Sequence, residues 1–161
     1  MAKKIAYCSL LTALALIFGF IEHLVSFDYI APGVKLGLAN SIVLLLIFVK
    51  QYKSAIAVNL ARILLSTLLF SGPMAAIFAI SGAALSMIVS VLLLKSKHLS
   101  IIGISIGAAA CHNIGQILVA GFVMGTWSVL YYMPVLVFCG AISGLLTGTA
   151  ANLVYKRIKK R

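Results

Sequence analysis

The sequence is almost without acidic residues: Glu22 and Asp28 are the only two in 161 positions. Two carboxylates leave no Asp-rich cluster of the kind that holds magnesium against a diphosphate. Charge of either sign is scarce, at 9% of residues, where a soluble domain carries about a quarter. Cysteine is also sparse. Cys8, Cys111 and Cys139 are odd in number, form no CxxC pair and lie in apolar runs. A disulfide framework, a zinc site, covalent haem attachment and iron–sulfur ligation are therefore not expected, and the three read as small packing residues. No GxxxxGK[ST] phosphate loop, HExxH, GxSxG or Cys-His-Asp/Asn set occurs, so the familiar ATPase, metalloprotease and hydrolase chemistries have no carriers here. The expectation is a protein that is not an enzyme, with no metal and no intrinsic cofactor.

What the sequence has in abundance is apolar surface. It is 63% hydrophobic, with a mean hydropathy of +1.20. A soluble chain of this length has no interior large enough to hide so much, so its solvent is lipid. Apolar runs without the period-two alternation of barrel strands predict helices. The net charge of +11 does not indicate nucleic acid, because the basic residues flank apolar runs as topology signals and form no interleaved basic and aromatic face. The polybasic end, Lys156-Arg157-Ile158-Lys159-Lys160-Arg161, is placed against anionic lipid headgroups.

Six runs fill the chain: Ile5 to about Leu24, then the stretch between Lys35 and Lys50, Ser54 to Phe70, a fourth from the Ser71-Gly72-Pro73 turn to Leu94, Leu99 to Met124 and Ser128 to Tyr155. These predict one all-α membrane domain of six transmembrane helices over residues 1–161. The N-terminal Met-Ala-Lys-Lys and following run have signal-peptide features, but the run is long and no Ala-x-Ala site follows, so it is expected to stay as the first helix. With the N-terminus inside, eleven of the thirteen basic residues fall on the inner side, Lys35 alone falls outside and Arg62 lies within a span. This positive-inside asymmetry predicts cytoplasmic termini, with Asp28 and Trp127 outside. Trp127, Tyr131 and Tyr132 fit an outer aromatic belt.

Two runs are unusual. The second has 14 residues between its lysines, about 21 Å of helix against roughly 30 Å of hydrocarbon. It is therefore short, or entered by a non-helical segment around Ala31-Pro32-Gly33. The sixth carries Gly140-xxx-Gly144-xxx-Gly148, and the fifth Gly103-xxx-Gly107 continued by Cys111 and Gly115. Such stripes let helix backbones approach closely, and packing within the bundle is their expected use.

Polar residues inside spans are costly, so they mark sites. Asn40 lies early in the second run; Asn59, Arg62 and Ser66 share a face of the third; His112 and Gln116 share a face of the fifth, with Asn113 beside it. Arg62 either pairs with Glu22 or snorkels to the headgroups, or it faces a cavity and meets an anionic ligand. His112 either joins two helices by a hydrogen bond or contacts the ligand; no second His or carboxylate stands at i+3 or i+4 to make it a metal site. A helix N-terminus between Gly33 and Gly37, with Lys35 beside it, either attracts an anion or places a lysine at headgroup level. The site expected from these residues is one outward-opening cavity of Arg62, Asn59, His112, Asn113 and Gln116, with Lys35 and Asn40 at its mouth.

The segments Pro32-Gly33-Val34-Lys35-Leu36-Gly37-Leu38-Ala39-Asn40, Leu60-Ala61-Arg62-Ile63-Leu64-Leu65 and His112-Asn113-Ile114-Gly115-Gln116 resemble the family known as Gx transporter or heptaprenyl diphosphate synthase component I, in the family's order and over nearly the whole chain. The wider layout is similar to the substrate-binding S components of energy-coupling-factor (ECF) vitamin transporters. That resemblance implies a bacterial cell-membrane protein that binds a small substrate near the outer side. It also implies docking on an energy-coupling membrane subunit driven by ATPases, often through Ala-xxx-Ala on the first helix. The nearest match here is Ser9-xxx-Ala13. The function expected is uptake of a small anionic or amphipathic ligand, vitamin-like or isoprenoid- or quinone-related. The alternative is a non-catalytic membrane subunit in flavin- or quinone-linked extracellular electron transfer, holding a bound flavin or quinone, or in heptaprenyl diphosphate (menaquinone side chain) synthesis.

Overall fold

The computed structural model describes residues 2–25, 37–96 and 99–159. They form six α-helices and, among the described residues, no strand: α1 (Ala2–Leu24), α2 (Leu38–Phe48), α3 (Tyr52–Ser66), α4 (Pro73–Lys95), α5 (Ile101–Val123) and α6 (Met133–Lys159). A π-helical turn, Thr67–Ser71, prolongs α3, and a 3-10 turn, Trp127–Tyr132, leads into α6. Five of the helices are long and apolar enough to cross a membrane. The protein is an all-α, multi-pass membrane bundle. Asp28, Lys35 and the Ala31-Pro32-Gly33 segment lie outside the described residues.

The helix ends follow from local chemistry. At the end of α3, the hydroxyls of Ser66 and Thr67 both donate to the carbonyl of Ile63, at 3.0 and 2.7 Å. They compete with the helical ladder, which widens so that Gly72 N–H bonds Thr67 O at 3.2 Å. The apolar run that predicts one helix to Phe70 is thus split at Ser66. Gly72, at φ 76°, then turns the chain and Pro73 opens α4, where its missing N–H is harmless. The Ser100 side chain caps α5 by accepting from Gly103 N–H at 3.1 Å, satisfying one of the four orphan donors. At the end of α2, Lys50 N–H bonds Ile47 O and Gln51 N–H bonds Leu46 O, both at 2.9 Å. This is a Schellman closure, with Lys50 at φ 60° in the place usually taken by glycine.

Close packing runs through α4, α5 and α6. A Cβ on Gly115 would stand 2.9 Å from Ser81 O and 3.0 Å from Gly82 Cα. A Cβ on Gly144 would stand 2.7 Å from Ile106 Cα, and one on Gly148 2.7 Å from Ser105 Cβ. Backbones at this separation exclude any side chain, which is how helices associate where lipid supplies no hydrophobic drive. The glycines of the fifth run divide in function. An added Cβ would meet backbone at Gly115, only the Leu93 side chain at Gly107, at 3.0 Å, and only Leu99 and Ser100 at Gly103, at 3.5 Å or more.

The short α2 is the centre of the molecule. Its 11 residues make about 16 Å of helix, half a bilayer, and seven of them are buried. Ile42, Val43, Leu46 and Ile47 pack with Ala15, Ala55 and Val58 in one cluster. Leu44 and Phe48 pack with Ile104, Ala108 and Ala151 in another. From Ile42 onward the helix is apolar on every side and needs neighbours on every side, which α1, α3, α4 and α6 supply. By contrast α1, twice as long, buries only Thr12 and Ala15.

Candidate functional site

Beyond the start of α2 the bundle encloses a polar cavity to which all six helices contribute. Its wall includes Glu22 of α1, Asn40 of α2, Arg62 of α3, Ser86 of α4, His112, Asn113 and Gln116 of α5, and Ser143 and Thr147 of α6. The cavity volume is about 60 Å³, the share of roughly two water molecules.

Arg62 is its charged centre. One guanidinium nitrogen, Nη2, donates to Asn40 Oδ1 at 3.1 Å and to Asn59 Oδ1 at 2.7 Å. Asn59 is buried, and its Nδ2 reaches Met87 Sδ on α4 at 3.5 Å. Asn59 therefore does not line the cavity; it holds Arg62 in place and ties α3 to α4. Arg62 Nε is buried and has no hydrogen-bond partner among the described residues, an open donor whose desolvation costs about 1–3 kcal/mol or more. Glu22 is close enough to act on the Arg62 charge, and its Oε1 accepts from the Leu38 N–H at the start of α2. The helix terminus that the sequence offers to an external anion is thus occupied by the chain's own carboxylate. An acidic group is favourable at that pole.

On α5, His112 and Gln116 lie one turn apart and both line the cavity. Glycine at position 82 makes room for them: a Cβ there would stand 2.7 Å from His112 O, 2.8 Å from Gln116 Cγ and 3.0 Å from His112 Cε1. Asn113 donates through Nδ2 to Leu136 O on α6 at 2.6 Å. A Cβ on Gly140 would lie 2.7 Å from that Nδ2, so Gly140 is the socket that receives Asn113. Ser143 and Thr147 turn their hydroxyl protons back to α6 carbonyls, at 3.0 and 2.9 Å, which leaves their oxygens as acceptors toward the cavity.

Of the residues read from sequence, the structure gathers Arg62, Asn40, His112, Asn113 and Gln116 at one cavity and places Asn59 directly behind Arg62. Lys35 lies outside the described residues. Ser66 is spent on its own helix. Ser9 and Ala13 are exposed on α1, beside a groove shared with α3. Sequence reasoning missed Ser86, Ser143 and Thr147. The last two stand one residue before Gly144 and Gly148, so the glycine stripe already marked their face as inward. Cys8, Cys111 and Cys139 are free thiols. Among the described residues, no three of His, Cys, Asp and Glu converge as metal ligands would.

The chemistry available here is recognition of negative charge. A guanidinium with an open donor, an imidazole and amides face an interior that holds, among the described residues, one carboxylate. In a desolvated site such donors bind carboxylate or phosphate oxygens with charge-assisted bonds. Residues 11–154 match the family described as heptaprenyl diphosphate synthase component I. No curated protein and no solved structure matches.

Proposed function

The chain belongs to the heptaprenyl diphosphate synthase component I family, and we propose that its members' membrane bundle, as seen here, binds a small anionic ligand at the Arg62 cavity for uptake into the cell. The observation that carries the reading is the buried guanidinium with an open donor, in a cavity to which all six helices contribute. On an insertion scale, a charge at mid-membrane costs about 2.5–3.5 kcal/mol. Glu22 offsets part of that cost. A ligand anion that reaches Nε offsets more.

On this reading both termini are cytoplasmic, as the positive-inside asymmetry favours. The cavity then lies from the middle toward the outer half of the bundle: Glu22 is near the end of α1 and Asn40 near the start of α2. At about 60 Å³ the cavity is closed to anything larger than a few atoms, since ligand pockets run to about 300–1,000 Å³. Binding therefore includes displacement of a helix, and α1 is the helix with least to lose, as only two of its residues are buried. ATP energy, if used, comes from partner subunits.

The family's name favours a second reading, a non-catalytic membrane subunit in prenyl diphosphate synthesis. Both readings put an anion at Arg62, so the identity of the ligand separates them. Mass spectrometry of small molecules retained through gentle purification, on wild type and Arg62→Gln side by side, is the test. A water-soluble carboxylate or phosphate compound present only in wild type supports uptake. A prenyl diphosphate present only in wild type supports the second reading. A monodisperse Arg62→Gln protein that retains the same molecules as wild type overturns both.

A further inference from the structure

A second concave feature lies on the α1–α3 face, outside the Arg62 cavity, and leads to the helix ends that carry lysines. Between α1 and α3 runs an apolar groove of about 580 Å³, floored by small residues: Ser9 and Ala13 on one side, Ala57 and Ala61 on the other. It extends along α1 from Lys4 to Leu16, twelve residue steps or about 18 Å, close to the depth of one bilayer leaflet. Through Lys4 it joins a basin at the helix ends, whose wall carries Lys3, Lys4, Lys50 and Lys53 together with Tyr7 and Tyr52.

Among the described residues the basin has no internal counter-charge. Glu22 lies some twenty residues further along α1, about 27 Å away as helix from Lys4, and its Oε1 is engaged at Leu38. The basin also carries a conformational cost. Lys50 sits at φ 60°, where glycine is the relaxed choice and a side chain costs about 1–2 kcal/mol. The turn between α2 and α3 thus holds a cation at a position that backbone sterics would give to glycine. Four cations at the mouth of a leaflet-deep apolar groove have the layout of an anionic head above an apolar chain.

We propose that this groove and basin form a binding site for an anionic phospholipid of the leaflet on the lysine side, with its phosphate among Lys4, Lys50 and Lys53 and one acyl chain along the α1–α3 groove. The depth of the groove favours a bilayer lipid over a longer isoprenoid. The unbalanced charge at its mouth favours a lipid over a partner helix, which needs no cluster of cations.

The test places a single tryptophan in the basin, Tyr52→Trp with Trp127→Phe, in vesicles of phosphatidylcholine. Quenching is compared between brominated phosphatidylglycerol and brominated phosphatidylcholine as the added lipid. Phosphatidylglycerol is expected to quench preferentially. Replacing Lys4, Lys50 and Lys53 by Gln should lower that preference by on the order of tenfold, while Lys95→Gln, on α4 outside the basin, should leave it unchanged. Ala57→Leu with Ala61→Leu, which fills the groove, should lower it as well. Equal quenching by the two lipids, or an equal effect of Lys95→Gln, overturns the site. Displacement of phosphatidylglycerol by farnesyl diphosphate at a lower concentration assigns the site to a prenyl diphosphate and overturns the phospholipid. Displacement by inorganic diphosphate alone shows a headgroup site without a chain and overturns it too.

Discussion

The Glu22 carboxylate near the end of α1 accepts a hydrogen bond from the backbone N–H of Leu38, the first residue of α2. One side chain thereby closes the α1–α2 junction, satisfies an orphan donor of the central helix and supplies the counter-charge to Arg62. Glu22→Gln is expected to act in two directions. It should weaken the start of α2 by about 0.3–2 kcal/mol, read as a lower unfolding temperature in detergent. It should also strengthen retention of an anionic ligand, because Arg62 loses its internal competitor. A Glu22→Gln protein that holds the ligand less tightly would show that Glu22 belongs to the binding surface.

Arg62→Gln removes the charge while keeping an amide of similar reach. Loss of a charge-assisted pair from a desolvated site costs about 2–4 kcal/mol, roughly 30- to 1,000-fold in affinity. Arg62→Lys should recover only part of this, since a lysine keeps the charge but has no donor corresponding to the open Nε. Affinity for the molecule found by mass spectrometry, measured by calorimetry on monodisperse protein, checks the order wild type, Lys, Gln.

Two glycines on neighbouring helices should respond differently to the same change. A Cβ at Gly144 would stand 2.7 Å from Ile106 Cα and 2.8 Å from Ser105 O. These are backbone atoms that cannot rotate aside, and Gly144→Ala should cost about 1–3 kcal/mol. At Gly103 an added Cβ would find its nearest neighbour 3.5 Å away, so Gly103→Ala should be neutral or slightly stabilising through helix propensity. Thermal unfolding of both variants in one detergent measures the difference. Equal melting temperatures would contradict the close α5–α6 contact.

The Gly19 position approaches α2 at the rim of the site, where an added Cβ would lie 3.9 Å from Ala39 Cβ, within disulfide geometry. With Cys8, Cys111 and Cys139 replaced by Ala, the pair Gly19→Cys and Ala39→Cys should cross-link under mild oxidation. It should then pin α1 to α2, block ligand exchange, and release it on reduction. Exchange that continues in the cross-linked protein would show that α1 does not need to leave α2.

Orientation rests on charge alone. In the same cysteine-free background, Ser128→Cys at the start of the 3-10 turn should react with an impermeant thiol reagent added outside intact cells. Gln51→Cys, between α2 and α3, should react only after the membrane is opened. The reverse pattern would invert the topology.

Much of the cavity's lining was legible because polar groups are rare in this chain. Arg62, Asn40, His112, Asn113 and Gln116 stand out from an apolar background, and the cost of facing lipid gathers them inward. Their division of labour was not legible. Asn59 and Asn113 have the same chemistry as Asn40, yet one braces the guanidinium and the other fastens α5 to α6 at Leu136 O. Sequence spacing gives a face of a helix but not the neighbour opposite that face.

By itself, the sequence determined the solvent, the number of helices, their limits to within a few residues and the charge asymmetry between their ends. Those properties depend on length, mean hydropathy and the residues at each terminus, all local quantities. Only the tertiary structure decided that the shortest helix is central, that Glu22 occupies its N-terminal pole and that the cavity is contracted to about 60 Å³. The physical reason is the likeness of lipid to protein interior. In water, an apolar stripe names the buried side of a helix. In a bilayer, Leu46 at the core and Leu68 facing lipid carry the same side chain. What separates them is steric fit between particular surfaces, Gly82 against His112 and Gly140 against Asn113, and that complementarity exists only once the helices have met.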